Sequence, residues 1–418
     1  MRVFFEDYGC SLNKADSYIL RALMKKAGHE FVSYESSEVV VVNSCGVKLS
    51  TENKIIDRIR KFIKDGKKVV VAGCLPRINQ KRLEKLNVVM LDPNALDKIN
   101  EALESEPPAR FFSKKPVDKL KFPHDYGDSV NAVVEISEGC LGNCAFCGTK
   151  NARPFLKSFE INDIVNAVEC LVKSGKKEIF LTSQDAGCYG FDLGVDLVEL
   201  LSKVSKVKGK FRIRVGMMSP YLAVKLIDGL LEVFERDERF YRFFHFPIQS
   251  GSLKVLKRMN RKDSPEDFEF LVRKVREKFP HAVVSTDIIV GFPGETEEDF
   301  EKTEELILKT KPDVVNVSMF YPRPNTKAAE FKKLPTKIVK KRSERLSSLC
   351  RSISLEKNKE YVGEVFEVLV VGKSKKGQVL ARAHNFKQVI LEEGVPGDFL
   401  KVRVVSAGPS HLKAVIEK

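Results

Sequence analysis

At 418 residues, with 43% apolar side chains, the chain is long enough for two or three domains with ordinary cores. No apolar run approaches the length of a membrane span, and residues 1–7 enter a strand with no signal-peptide pattern, so a membrane protein is excluded and a cytoplasmic location is expected. A formal charge of +15 points toward a polyanionic partner, although Lys-rich composition also suits a protein that is merely soluble or heat-adapted; nine cysteines in a long chain suit a reducing compartment where thiols hold metals rather than disulfides.

Strands are predicted at residues 3–5, 39–42 and 69–72, with amphipathic helices at 16–27, closed by Gly28, and 51–65, closed by Gly66. Uninterrupted Val runs fit a parallel sheet covered on both faces, which predicts a flavodoxin-like domain over residues 1–104. Each strand runs into a cysteine: Cys10, Cys45 and Cys74. In a parallel sheet the carboxyl ends share one edge, where ligands bind, so these thiols are expected to meet. A small buried hydrophobe at a strand end is the plain alternative, but recurrence at one topological position favours a three-thiolate cluster.

Residues 105–129, with four prolines at 107, 108, 116 and 123, read as an extended linker. Strand and helix then alternate again, with strands at 132–136, 178–182, 211–215, 242–246, 283–290 and 314–319, which predicts a partial (βα)6 barrel within a domain spanning residues 130–355. The first of these strands leads into Cys140-Leu-Gly-Asn-Cys144-Ala-Phe-Cys147. Three thiols at this spacing can ligate three irons of a cubane and leave the fourth open. A structural zinc would want a fourth local ligand, and Cys170 and Cys188 fall outside knuckle spacing, so iron and sulfur are favoured over zinc or an inert cluster. Polar runs end the later strands at 182–185, 247–252 and 290–296, the edge where barrel enzymes keep their chemistry. The run Gly291 to Thr296 resembles a phosphate loop but lacks the following Lys.

Residues 331–355 hold eight Lys or Arg against one acid, Glu344. Within them Lys337, Lys340, Lys341, Arg342 and Arg345 span little more than two helical turns, so several are expected to face one phosphate track and bind RNA. From Gly363 five short β-rich runs broken by glycines predict a small OB-like barrel over 356–418, an oligonucleotide-binding module or, alternatively, a structural cap.

The stretches Tyr8 to Asn13, Asn43 to Cys45, Ala72 to Cys74, 138–147, Leu181 to Gly190, Arg214 to Pro220, His245 to Ser252 and Thr286 to Thr296 together resemble the radical S-adenosylmethionine methylthiotransferases. The likeness is greatest to the archaeal and eukaryotic branch that modifies threonylcarbamoyladenosine in tRNA, and the terminal barrel resembles that family's TRAM domain. Ser219 departs from the pattern, which has Asn before the proline. The resemblance implies two [4Fe-4S] clusters, one on Cys140, Cys144 and Cys147 and the other on Cys10, Cys45 and Cys74. It also implies S-adenosylmethionine as both methyl donor and radical source, with a methylthio group inserted at adenine C2. In that reading Phe146 packs on the cofactor's adenine, while Ser183, Gln184, Gln249, Ser250 and Arg261 fix its polar edges. The implied partners are the anticodon stem-loop of tRNA and an electron-donating reductase, for a monomeric enzyme. An enzyme acting on another adenosine or a ribosomal protein would share both clusters, though the basic helix favours RNA; a non-catalytic cluster-bearing RNA-binding protein would need no cofactor-binding strand ends.

Overall fold

Successive side chains of a strand point to opposite faces, so a strand of uninterrupted valines must be buried on both. The computed structural model, which describes residues 1–417, places the valines that way. Strands β1 (Arg2–Asp7), β2 (Glu30–Phe31), β3 (Val39–Ser44), β4 (Lys68–Gly73), β5 (Val89–Leu91) and β6 (Ala109–Phe111) form one parallel sheet in the order β2-β1-β3-β4-β5-β6. Val39 and Val41 pack on one face with Ile19, Leu20 and Ile99, whereas Val40 and Val42 pack on the other with Ile55, Ile59 and Phe62.

The segment 105–129 is more than a linker. Ala109–Phe111 supplies the sixth strand, pairing with β5, and Lys119 is fully enclosed among acidic side chains from other segments. A three-residue edge strand beside prolines carries almost no pattern, and the burial of a Lys depends on partners remote in the chain.

Six parallel strands follow: β7 (Asn131–Glu135), then, after a short hairpin of β8 (Ser137–Glu138) and β9 (Lys157–Ser158), β10 (Glu178–Thr182), β11 (Arg212–Val215), β12 (Phe243–His245), β13 (Val283–Val290) and β14 (Val314–Met319). They form two three-stranded sheets, β7-β10-β11 and β12-β13-β14, joined through a bridge between Ile213 and Phe240, which makes an open partial barrel. Helix Ser11–Lys26 of the first domain packs on it, setting Ala15 and Tyr18 against Val133.

The basic helix is Thr336–Lys359, which starts and ends a few residues later than the sequence pattern suggests, and beyond it β15 (Val365–Lys373), β16 (Val379–Ala383), β17 (Gln388–Leu391), β18 (Phe399–Ala407) and β19 (Leu412–Ile416) close a barrel. The terminal barrel docks through Phe386, in the turn between β16 and β17. Its ring lies 5.8 Å from Phe180, 5.0 Å from Tyr241 and 5.1 Å from Phe243, at the base of the partial barrel.

Candidate active site

Cys10, Cys45 and Cys74 all lie just past the carboxyl ends of β1, β3 and β4, which the register aligns: Asp7 pairs with Asn43, and Ser44 with Gly73. Asn13 ties this edge together. Its amide donates to Ser44 O at 2.8 Å, and its Oδ1 accepts from the Cys74 thiol at 3.5 Å. Gly9 is required here, because a Cβ would stand 3.0 Å from the Cys45 Cβ and 2.9 Å from Asn13. Cys10 is exposed while Cys45 and Cys74 are buried. Burial pushes the Cys74 thiol up to about 12, opposed by the nearby Arg153 guanidinium.

The second triad sits on the loop after β8. At Gly139 the backbone turns left-handed (φ 74°), and any Cβ would meet Phe155 O at 2.0 Å, so only glycine closes this turn. Protein groups fix the loop: Gly139 N–H donates to Gln184 Oε1 at 2.6 Å, Lys150 Nζ to Cys140 O at 2.7 Å, and Leu141 N–H to the buried Cys188 sulfur at 3.3 Å. The Cys140 and Cys144 sulfurs converge, standing 3.7 and 3.8 Å from the point where a Gly142 Cβ would be. Burial pushes Cys140 up to about 11 and also raises Cys144, so each keeps a proton until a cation replaces it. Among the described residues no three His, Cys, Asp or Glu side chains are drawn together tightly enough to hold a single ion. A cubane takes each thiolate on a different iron, with sulfurs further apart, and three soft donors on one loop fit such a group.

The side chains expected around a cofactor divide into two sets. Ser183 Oγ is buried with no hydrogen-bond partner, and Phe146 lines a cavity and meets Phe292 edge-on at 6.3 Å. Gln249, in left-handed backbone (φ 75°), also lines the cavity, its main chain bridging Asp287 and Ile289. Arg261 is ion-paired to Asp263 at 2.7 Å, and its Nη1 lies 3.6 Å from the Cys144 sulfur, a counter-charge for a thiolate. Gln184 and Ser250 are engaged elsewhere: Gln184 clamps the loop at Gly139, and Ser250 Oγ accepts from Ser252 N–H at 3.2 Å and lies 3.4 Å from Thr303 Oγ1. Ser219, the departure from the family pattern, donates to Asp185 at 2.6 Å and holds that turn. Thr296 caps helix Glu297–Thr310 reciprocally with Asp299, which accounts for the run that resembles a phosphate loop.

The cavity, of about 780 Å³, lies between the two domains. Val47 and Lys48, close after Cys45, line one side; Phe146, Cys147, Gln249 and Asp287 line the other. Sequence reasoning missed a polar trio on three adjacent strands. Asp287 receives Asn316 Nδ2 at 2.8 Å and faces His245 Nε2 at 3.1 Å, and these partners hold its carboxyl below the usual range. It also missed a buried ion network beside both triads. Lys119 Nζ lies 2.6 Å from Asp16, 3.2 Å from Glu138 and 3.6 Å from Glu135; Arg153 binds Glu138 at 2.6 Å and also Asp16. No spacing rule finds such a group, because its members come from four stretches of chain: Asp16, Lys119, the pair Glu135 and Glu138, and Arg153.

Of the five side chains expected to bind RNA, Lys337, Lys340 and Lys341 are exposed. Arg342 is not available: it is buried, with Nη1 2.8 Å from Glu295 and Nε 2.9 Å from Glu297. Arg345 is partly exposed but bridges Glu297, at 2.8 Å, and Glu304. Both arginines lie on the face turned to helix Glu297–Thr310 and share Glu297 of its first turn, with Glu295 just before the helix and Glu304 within it as their other partners.

Three family descriptions match this chain: Radical SAM superfamily over residues 134–307, Uncharacterized protein family UPF0004 over 2–91, and TRAM domain over 359–416. A Pyrococcus horikoshii protein named probable threonylcarbamoyladenosine tRNA methylthiotransferase is 43% identical over 422 residues, covering 99% of this chain and 98% of its own. The Drosophila melanogaster threonylcarbamoyladenosine tRNA methylthiotransferase is 33% identical, covering 97% of this chain and 76% of its own. The solved structure of TsrM, a radical S-adenosylmethionine methyltransferase from Kitasatospora setae, matches with a TM-score of 0.56 at 13% identity, over 78% of this chain and 74% of that one, a likeness of fold alone.

Proposed function

Because the chain belongs to the threonylcarbamoyladenosine tRNA methylthiotransferase family, we propose that it inserts a methylthio group at adenine C2 of threonylcarbamoyladenosine, beside the tRNA anticodon. Radical SAM membership implies one [4Fe-4S] cluster and S-adenosylmethionine. In this reading Cys140, Cys144 and Cys147 hold that cluster, and Cys10, Cys45 and Cys74 hold a second. When bound, these groups supply sulfur, methyl and a radical able to take hydrogen from an unactivated aryl C–H bond, which acid-base side chains cannot do. The chain's own share is placement. The loop clamps at Gly139 and Cys140 fix one triad, Asn13 fixes the edge that carries the other, Arg261 balances thiolate charge, and Ser183 offers an unused hydroxyl. Lys337, Lys340 and Lys341, with the TRAM barrel, attract the RNA backbone.

The observation that carries this reading is the shared cavity: residues adjoining Cys45 and residues of the Cys147 loop line one chamber, so a nucleobase bound there would lie beside both thiol-bearing loops. Mass spectrometry of tRNA nucleosides from cells with and without the gene tests it. Loss of the 2-methylthio derivative, with threonylcarbamoyladenosine itself still present, is the expected result; an unchanged nucleoside profile refutes the reading.

A further inference from the structure

The cavity between the thiol triads has two cationic side chains in its wall, Arg323 and Lys48. Arg323 is buried and fastened to Glu52 of helix Leu49–Lys64. Lys48 stands exposed at the mouth and, among the described residues, has no carboxylate within ion-pair distance. The acid opposite it, Asp287, is already held by His245 and Asn316. Three large apolar side chains in the same wall, Val47, Met319 and Tyr321, are about half exposed. A flipped base needs such apolar and aromatic surface to replace its lost stacking.

This pattern discriminates among adenosines by the chemistry of the substituent on N6. An apolar tail would desolvate the Lys48 ammonium and give it no partner, a selection against it. A threonylcarbamoyl tail carries a carboxylate, a hydroxyl and urea N–H groups, so it can satisfy an ammonium and a carboxylate at once. We propose that Lys48 is a specificity-determining residue whose ammonium receives the carboxylate of the threonylcarbamoyl tail, while Val47, Met319 and Tyr321 take the face of the extruded adenine and Asp287 accepts from the tail's donors. The proposal rests on the reading of threonylcarbamoyladenosine as substrate and adds which residue recognises it. A lysine suits this position because it presents a compact point charge on a flexible stem, able to follow the tail into the cavity.

Lys48 would also attract any phosphate, and the test separates that role from tail recognition. Binding of the full-length, cluster-reconstituted protein is measured by fluorescence anisotropy with two anticodon stem-loop RNAs. One bears threonylcarbamoyladenosine and the other its threonine methyl ester, so the phosphates are identical and only the tail charge differs. At low salt the wild type is expected to bind the acid roughly tenfold more tightly than the ester. Lys48→Met should abolish that preference and Lys48→Arg should retain most of it. Equal binding of the two RNAs by the wild type, a preference that survives in Lys48→Met, or an equal loss for both RNAs in that variant each overturns the assignment. Circular dichroism and iron content of Lys48→Met and Lys48→Arg, matched to the wild type, report that fold and clusters are kept. The nucleoside profile of cells is read independently, so a wrong residue and a wrong substrate give different results.

Discussion

Each thiol triad belongs to its own domain and is held by its own neighbours: Asn13 at one, Gly139 and Lys150 at the other. Loss of one set of ligands should therefore leave the other intact. The triple variant Cys140→Ala, Cys144→Ala, Cys147→Ala is expected to retain about half the wild-type iron after anaerobic reconstitution, as is the complementary variant at Cys10, Cys45 and Cys74. Iron and sulfide analysis checks both; loss of nearly all iron from either would mean that the triads depend on one another. S-adenosylmethionine cleavage should vanish in the first variant and persist in the second.

The helix Thr336–Lys359 shows how one element divides its charge. Val339, Arg342, Leu346, Cys350 and Ile353 recur at intervals of three and four and are buried, whereas Lys337, Lys340 and Lys341 face outward. Reversing the three lysines to Glu should weaken tRNA binding and flatten the slope of log K against log salt by about 0.9 for each phosphate no longer neutralised. A filter-binding series over salt concentration measures this, and unchanged affinity and slope would place the RNA on another surface. Arg342→Met should act on stability instead. It leaves the buried Glu295 without its counter-ion, a cost of roughly 3–5 kcal/mol for a broken buried pair. The lower end is expected, because burial already pushes Glu295 up to about 7 and lets it take a proton. Denaturant unfolding of the variant gives the value.

At the scale of the molecule, the two large domains are joined across charges that neither could bury alone. Asp16 comes from the first domain, Lys119 from the connecting segment, and Glu135, Glu138 and Arg153 from around the cluster loop; all are buried. Three carboxylates face two cations, and desolvation, with Glu138 and Asp16 nearby, pushes Glu135 up to about 8 from an ordinary 4.5. The folded protein therefore holds a proton there that the unfolded chain releases at lower pH. Its stabilising contribution is full below about pH 4.5 and is lost as pH rises through about 8. Thermal melts should show this decline in the wild type and a flatter profile in Glu135→Gln, which carries no titrating proton. A Glu135→Gln profile that falls as steeply would assign the decline to other groups.

The architecture was legible in the chain because its signals are local. Val runs mark strands covered on both sides, six strand-helix alternations mark the partial barrel, and closely spaced glycines mark the terminal one. The thiols were legible for the same reason: one triad is contiguous, and the other recurs at strand ends that parallel topology must align. Local pattern could not show which charges are free. Arg342 and Lys340 look alike in sequence, yet helix periodicity turns Arg342 onto Glu295 while Lys340 remains exposed. Gln184 sits beside Ser183, yet clamps Gly139 while the Ser183 hydroxyl is left without a partner. The cavity, the Asp287 trio and the Lys119 network exist only once remote segments are brought within a few ångströms. Electrostatic partnership depends on that distance and on exclusion of water, and neither is written in the order of residues.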